Sequence, residues 1–203
     1  MANKQLIIKP LLEAFLIVKS MDELIDIVTK NGKPTGQSAL KSEIHSKGLY
    51  HNTAHIWFYT NQGQILLAQR AASKSIYPLL WDVSVAGHID AGESIENGAI
   101  REIKEEIGLQ IKPTDLEKIG VFECFQSYPN GIKDYEFHNT YIVQLEVPIA
   151  SLTPQEEEVQ ALKLVTISTF KTLLENSKIN GHFVASNYNY CKKVLNYISK
   201  KIS

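Results

Sequence analysis

The stretch "GHIDAGESIENGAIREIKEEIGL", Gly87–Leu109, sets like charges side by side. Glu102, Glu105 and Glu106 fall within five residues at helical spacing. Like charges three or four positions apart on a helix cost a few tenths of a kcal/mol per pair. Local signals nevertheless specify a helix here. Ser94 is a favoured N-cap residue before Ile95, and Gly108 stands where helices stop. At about 100° per residue, Ile100, Ile103 and Ile107 share one apolar face. That geometry predicts three carboxylates projecting together from roughly the opposite side. Two arrangements offset their repulsion. Arg101 and Lys104 supply local countercharge for a solvated acidic face. Alternatively a hard divalent cation such as Mg²⁺, which takes carboxylate oxygens together with substrate phosphates, draws the three inward.

The spacing favours the cation. It runs Gly87, five residues, Glu93, seven residues, then Arg101, Glu102, Ile103, Glu105, Glu106, Gly108 and Leu109. At a usage of about 6% per residue type, seven fixed positions coincide in roughly one window in 10⁸ to 10⁹. This pattern resembles the Nudix box. The resemblance implies a Nudix-type α/β/α sandwich of the α/β (α+β) class, with a mixed sheet and a loop–helix–loop box. It implies a hydrolase that cleaves the diphosphate bond of a nucleoside or other organic diphosphate, with metal-activated water as nucleophile. Glu102, Glu105 and Glu106, with the carbonyl of Gly87, would hold Mg²⁺ or Mn²⁺. Glu105 is then the candidate base, and Arg101 and Glu93 the residues that orient the carboxylates and brace the loop. Glu156, Glu157 and Glu158 form a later acidic run. In it Glu157 and Glu158 are candidates for a further ligand or base, beside the reading of a solvated loop.

The flanks narrow the resemblance. "YHNTAHIWFYT" (50–60), "QRAASK" (69–74), "YPLLW" (77–81) and "SVAGHI" (84–89) are similar to type I isopentenyl diphosphate isomerases and their hydrolase relatives. By that likeness Arg70 and Lys74 would hold diphosphate through charge-assisted hydrogen bonds. His45, His51, His88 and Glu136 would form a second metal site. Isomerase activity is the alternative, and three positions argue against it. Ala86 occupies the place of the isomerase cysteine and cannot transfer a proton. The isomerase pair of carboxylates on a later strand is here Glu136–Phe137–His138. The box itself is complete, whereas isomerase boxes are degenerate. A non-catalytic Nudix-fold binding protein is a further alternative. It normally goes with loss of the metal glutamates, and none is lost.

The remaining sequence sets bounds. The 203 residues are 44% hydrophobic and 21% charged, an ordinary globular composition. Lysine plus arginine number 21 against 22 acidic residues, which gives no reason to expect a nucleic-acid polymer or a membrane surface as partner. The expected partner is a small-molecule diphosphate, and the expected assembly a monomer or homodimer. Cys124 and Cys191 are too few for a disulfide framework and suit a cytoplasmic protein. Residues 1–20 read as an N-terminal extension or arm, because Lys9, Pro10 and Glu13 interrupt their apolar run. Residues 21–203 read as the catalytic domain. Strands are expected over 24–30, 54–60, 64–70, 116–128, 135–147 and 160–168, with late helices over 169–177 and 189–201. Residues 31–36 read as a turn cluster and 41–51 as an irregular connection. His55 and His138 carry no distinctive spacing.

Overall fold

The computed structural model describes residues 22–177, 179, 181–184 and 188–202, so the arm expected over 1–20 lies outside the described residues. Strands β1 (Leu24–Val28) and β2 (Pro34–Leu40) lead to helix α1 (Lys41–Lys47), then β3 (His51–Tyr59) and β4 (Gln64–Arg70). Two short strands, β5 (Trp81–Asp82) and β6 (Val85–His88), precede helix α2 (Ile95–Ile107). Strands β7 (Glu117–Ser127), β8 (Lys133–Gln144) and β9 (Val159–Thr166) follow, then helices α3 (Ile167–Glu175) and α4 (Tyr188–Lys201).

Strand β3 organises the sheet because its side chains alternate between two buried faces. Ile56 and Phe58, with Leu66, Val85 and Tyr141, pack on Ala99, Ile103 and Ile107 of α2. Trp57 and Tyr59, with Ile65, Leu67 and Ile142, pack beneath α3 and α4, on Phe170, Leu174, Tyr190 and Val194. Helices therefore cover both faces of a mixed sheet, the expected α/β/α arrangement. Each large apolar side chain removed from water in these layers stabilises the fold by about 1.5–3 kcal/mol.

Strand β8 runs parallel to β3, with His51 opposite Glu136 and Tyr59 opposite Gln144. The other pairings are antiparallel. Strands β3 and β4 are joined by a short turn, as expected, but they pair only at Tyr59 and Ile65. Beyond that point they part, β3 turning to β6 and β4 to β9. Ser84 sits in the fork, fully buried. Its Oγ accepts from Phe58 N–H at 2.9 Å and donates to the Leu66 carbonyl at 2.6 Å. One hydroxyl thus satisfies two backbone groups that the split would otherwise leave unpaired.

Three expectations need correction. Residues 41–51 are not wholly irregular, since α1 occupies Lys41–Lys47. Its first turn is capped from a distance: Asp22 accepts from Ser42 N–H and from the Ser42 hydroxyl, a partner no local pattern reveals. The turn cluster at 31–36 runs into β2, which starts at Pro34. A proline is tolerated there because β2 is an edge strand at its first residue. The third correction concerns α2. Its caps are as read, with Ser94 Oγ accepting from Asn97 N–H at 3.2 Å and Gly108 left-handed at φ 69°. Its buried face, however, is wide and is centred on Ala99, Ile103 and Glu106, leaving Ile100 at the edge. Glu102 and Glu106 therefore lie on the inward arc and not opposite the core.

Candidate active site

Glycine 87 explains how Glu102 can turn inward. A Cβ built on Gly87 would stand 2.0 Å from the Glu102 carboxyl carbon. Any larger residue at position 87 would displace that carboxylate. Glu102 and Glu106 are 9% and 7% exposed, while Glu105 lies at the solvent edge of the same helix. Arg101 binds the group together. Its guanidinium donates to Glu102 at 2.8 Å, Glu105 at 2.9 Å, Glu93 at 3.1 Å and the His88 carbonyl at 2.9 Å. Burial works against its charge, but Glu93 and Glu102 outweigh burial and hold the pKa above the usual arginine range. Burial pushes the Glu102 carboxyl up to about 7, with Arg101 opposing and Glu105 adding repulsion. Burial also drives Glu106 well above the usual carboxylate range, and Glu102 and Glu158 reinforce this. Two desolvated carboxylates this close are a poor arrangement alone and a good one around a divalent cation.

These groups line a cleft of about 580 Å³. The candidate diphosphate residues Arg70 and Lys74 line it too, and both are engaged. Arg70 donates Nε–H to the Ile76 carbonyl at 2.9 Å and approaches Asp82 at 3.4 Å. Lys74 is ion-paired with Glu158. The late acidic run therefore divides: Glu158 faces the cleft, and Glu157 is exposed and outside its lining. The loop is delivered by the end of α2, whose last carbonyls, Glu106 and Ile107, accept from Gln155 and Thr153 N–H.

His45, His51, His88 and Glu136 come from α1, β3, β6 and β8, and their ligand atoms all lie within 4.8 Å of one another. His51 donates Nδ1–H to the Leu49 carbonyl at 2.9 Å, which leaves Nε2 a lone pair. That Nε2 is fully buried and has no hydrogen-bond partner among the described residues. His45 Nδ1 meets Asp134 at 2.9 Å, and its Nε2 lies 3.1 Å from His88 Nε2. Burial works against charge on His45, but Asp134 outweighs it and raises the pKa above 6.5. Burial holds His88 well below that value, with Lys41 adding to the effect. Burial disfavours the Glu136 carboxylate, yet the hydrogen bond from His138 at 2.8 Å keeps its pKa well below the usual range. Imidazoles converging with a carboxylate, with His45 and His51 oriented by Asp134 and the Leu49 carbonyl, are a candidate donor set for a divalent metal.

The same sheet face continues into residues that the spacing did not single out. His55 and His138 stack with ring centroids 3.7 Å apart. They line the cleft with Thr53, Cys124 and Asp82. A period-of-two reading of "HNTAHIW" was the available signal: His51, Thr53 and His55 share one face while Ala54 and Ile56 share the other. Among the aromatic side chains of the hairpin between β7 and β8, Tyr128 lines the cleft. Phe125 and Tyr135 pack instead against Tyr50.

A mixed sheet clasped by helices, with a glutamate-bearing loop–helix–loop at the cleft, defines the class. Residues 49–186 match the family described as the NUDIX domain, and the chain belongs to this family. It is 37% identical over 158 residues to Nudix hydrolase 3 of Arabidopsis thaliana, covering 75% of this chain but only 20% of that protein. It is 34% identical over 158 residues to isopentenyl-diphosphate Delta-isomerase 2 of Photorhabdus laumondii, covering 77% of this chain and 85% of that one. The fold is similar to that of the NUDIX domain of Shewanella oneidensis NrtR, solved with ADP-ribose. That likeness has a TM-score of 0.54 and 16% identity and covers 75% of this chain and 88% of that one.

Proposed function

We propose that this Nudix enzyme is a Mg²⁺- or Mn²⁺-dependent hydrolase that cleaves the P–O–P bond of an organic diphosphate. The observation that carries the reading is the convergence of buried Glu102 and Glu106 on the cleft, with the missing side chain of Gly87 making room for the Glu102 carboxylate. Glu102, Glu105, Glu106 and the Gly87 carbonyl are the residues that would hold the ion. When bound, it would neutralise phosphate charge and lower the pKa of water. Arg101 and Glu93 fix the glutamates before substrate arrives, so little reorganisation is left for the reaction. Glu105, at the open edge of the cleft, accepts the proton from the attacking water. Glu158 is the late-loop carboxylate placed to add a ligand or serve as base. Arg70 and Lys74 receive the diphosphate, and Lys74 exchanges its Glu158 partner for a phosphate oxygen.

The second reading is isomerisation of isopentenyl diphosphate. It is favoured by the assembly of His45, His51, His88 and Glu136 into one donor set, which the likeness to the isomerases predicts. Against it stands Ala86, which lines the cleft where a proton-transferring thiol would be needed. Two assays with Mg²⁺ separate the readings. Phosphate release from a panel of organic diphosphates is expected. Appreciable conversion of isopentenyl to dimethylallyl diphosphate, without phosphate release, would overturn the hydrolase reading.

A further inference from the structure

Of the candidate diphosphate residues, Arg70 is held by more than a single ion pair. Asp82 of β5 stands opposite Ala68 of β4. Arg70 lies two residues further along β4, within reach of the Asp82 carboxylate. Asp82 Oδ1 accepts from Val83 N–H at 2.8 Å, which leaves Oδ2 for Arg70 Nη1 at 3.4 Å. The Ile76 carbonyl accepts from Arg70 Nε–H at 2.9 Å. That carbonyl belongs to a loop folded back on the end of β4. Leu79 N–H donates to the Arg70 carbonyl at 3.1 Å, and the Gln69 side chain donates to the Leu79 carbonyl at 2.9 Å. Tyr77 and Leu79 are both left-handed, at φ 49° and 61°. Residues with side chains disfavour that conformation and keep it only where their surroundings impose it. Arg70, Ile76 and Asp82 all line the cleft. Burial pushes the Asp82 carboxyl up, with Arg70 opposing. A partly desolvated pair of this kind returns little net stability.

We propose that Asp82 is a positioning residue for diphosphate binding: together with the Ile76 carbonyl it fixes the plane of the Arg70 guanidinium and sets its remaining N–H groups for the phosphates. This rests on the reading of the cleft as a diphosphate site. The two acceptors each use one N–H of a fork that carries more, and Nη2 has no acceptor among the described residues. Arg70 can therefore take phosphate oxygens without leaving either partner, whereas Lys74 must leave Glu158. A guanidinium fixed in advance gives up less freedom on binding, and its planar fork suits bidentate contact with phosphate. Asp82 does this against the sign of its own charge. A carboxylate beside an anion site repels the anion, so charge alone predicts tighter binding when Asp82 is neutralised. Loss of position predicts weaker binding.

The test measures binding of methylenediphosphonate, a diphosphate mimic with no P–O–P bond to cleave, by titration calorimetry with Mg²⁺. Thermal melts check that each variant is folded. Asp82→Asn keeps the side-chain shape and an acceptor for Val83 N–H, and is expected to weaken binding about tenfold. In an Arg70→Ala background the same substitution is expected to change binding by less than about twofold, because Asp82 acts through Arg70. Arg70→Lys keeps the charge without the fork and is expected to lose about tenfold, which tests the role even if Asp82→Asn fails to fold. Unchanged or tighter binding by Asp82→Asn, an equal loss in the Arg70→Ala background, or wild-type affinity in Arg70→Lys would each overturn the positioning role and leave the hydrolase reading intact. No binding by the wild-type protein would count against the diphosphate cleft itself, and the role of Asp82 would fall with it.

Discussion

At the scale of single residues, the site depends on what a glycine leaves out. The carboxyl group of Glu102 occupies the volume a Gly87 side chain would fill, and Arg101 holds it there at 2.8 Å. Burial raises the Glu102 pKa to about 7, so near neutral pH the carboxyl is about half protonated. A divalent ion binds the ionised form, and below pH 7 it must displace a proton. Mg²⁺ affinity is therefore expected to rise with pH through 7, by about tenfold per unit on the acid side for the Glu102 proton and more steeply where Glu106, which burial also holds well above the usual carboxylate range, must lose its proton too. Titration calorimetry at pH 6, 7 and 8 checks this, and a flat profile would contradict it. The box residues were legible because a spacing pattern needs no tertiary information. The place of Thr53, His55 and His138 in the cleft was not, because what they face depends on which strands pair.

At the scale of elements, α2 and the β3–β4 fork carry the argument. The caps of α2 were readable from Ser94 and Gly108, since capping is local chemistry. The roll of α2 was not, because three isoleucines mark an apolar stripe without fixing which flank of it meets the sheet. Helix α1 was missed for a related reason, its first-turn cap coming from Asp22. The fork rests on a single hydroxyl. Ser84→Ala is expected to destabilise the protein by about 1–3 kcal/mol, because Phe58 N–H and the Leu66 carbonyl lose their shared partner in a buried setting. Urea unfolding measures this as a lowered midpoint at unchanged slope. An unchanged midpoint would mean that the backbone groups find each other directly.

At the scale of the whole molecule, four distant segments deliver one candidate donor set. His45 arrives on α1, His51 on β3, His88 on β6 and Glu136 on β8, and the parallel pairing of β3 with β8 sets His51 opposite Glu136. The layered fold was legible from alternating strands, the box helix and the late helices. The meeting of the four ligands followed from the likeness to the isomerases, not from any periodicity in the chain. Such a site links metal binding to global stability. Mn²⁺ at about 100 times its Kd is expected to add about 2.7 kcal/mol, or about 5–10 °C in Tm for a chain of this size. His51→Ala should lose the share of that gain supplied by the histidine cluster in a thermal melt, while the ion held by the α2 glutamates keeps its own. An equal gain in the variant would place the stabilising ion elsewhere. Among the described residues no helix is long and apolar enough to cross a membrane.

The central claim is that the glutamates of α2 converge to hold a divalent ion for diphosphate hydrolysis. The most direct measurement is turnover of a diphosphate substrate by Glu105→Gln and Glu106→Gln at saturating Mg²⁺, with circular dichroism as a check on folding. Each variant is expected to keep its fold and lose turnover by orders of magnitude. Folded variants that both turn over at the wild-type rate would contradict the account.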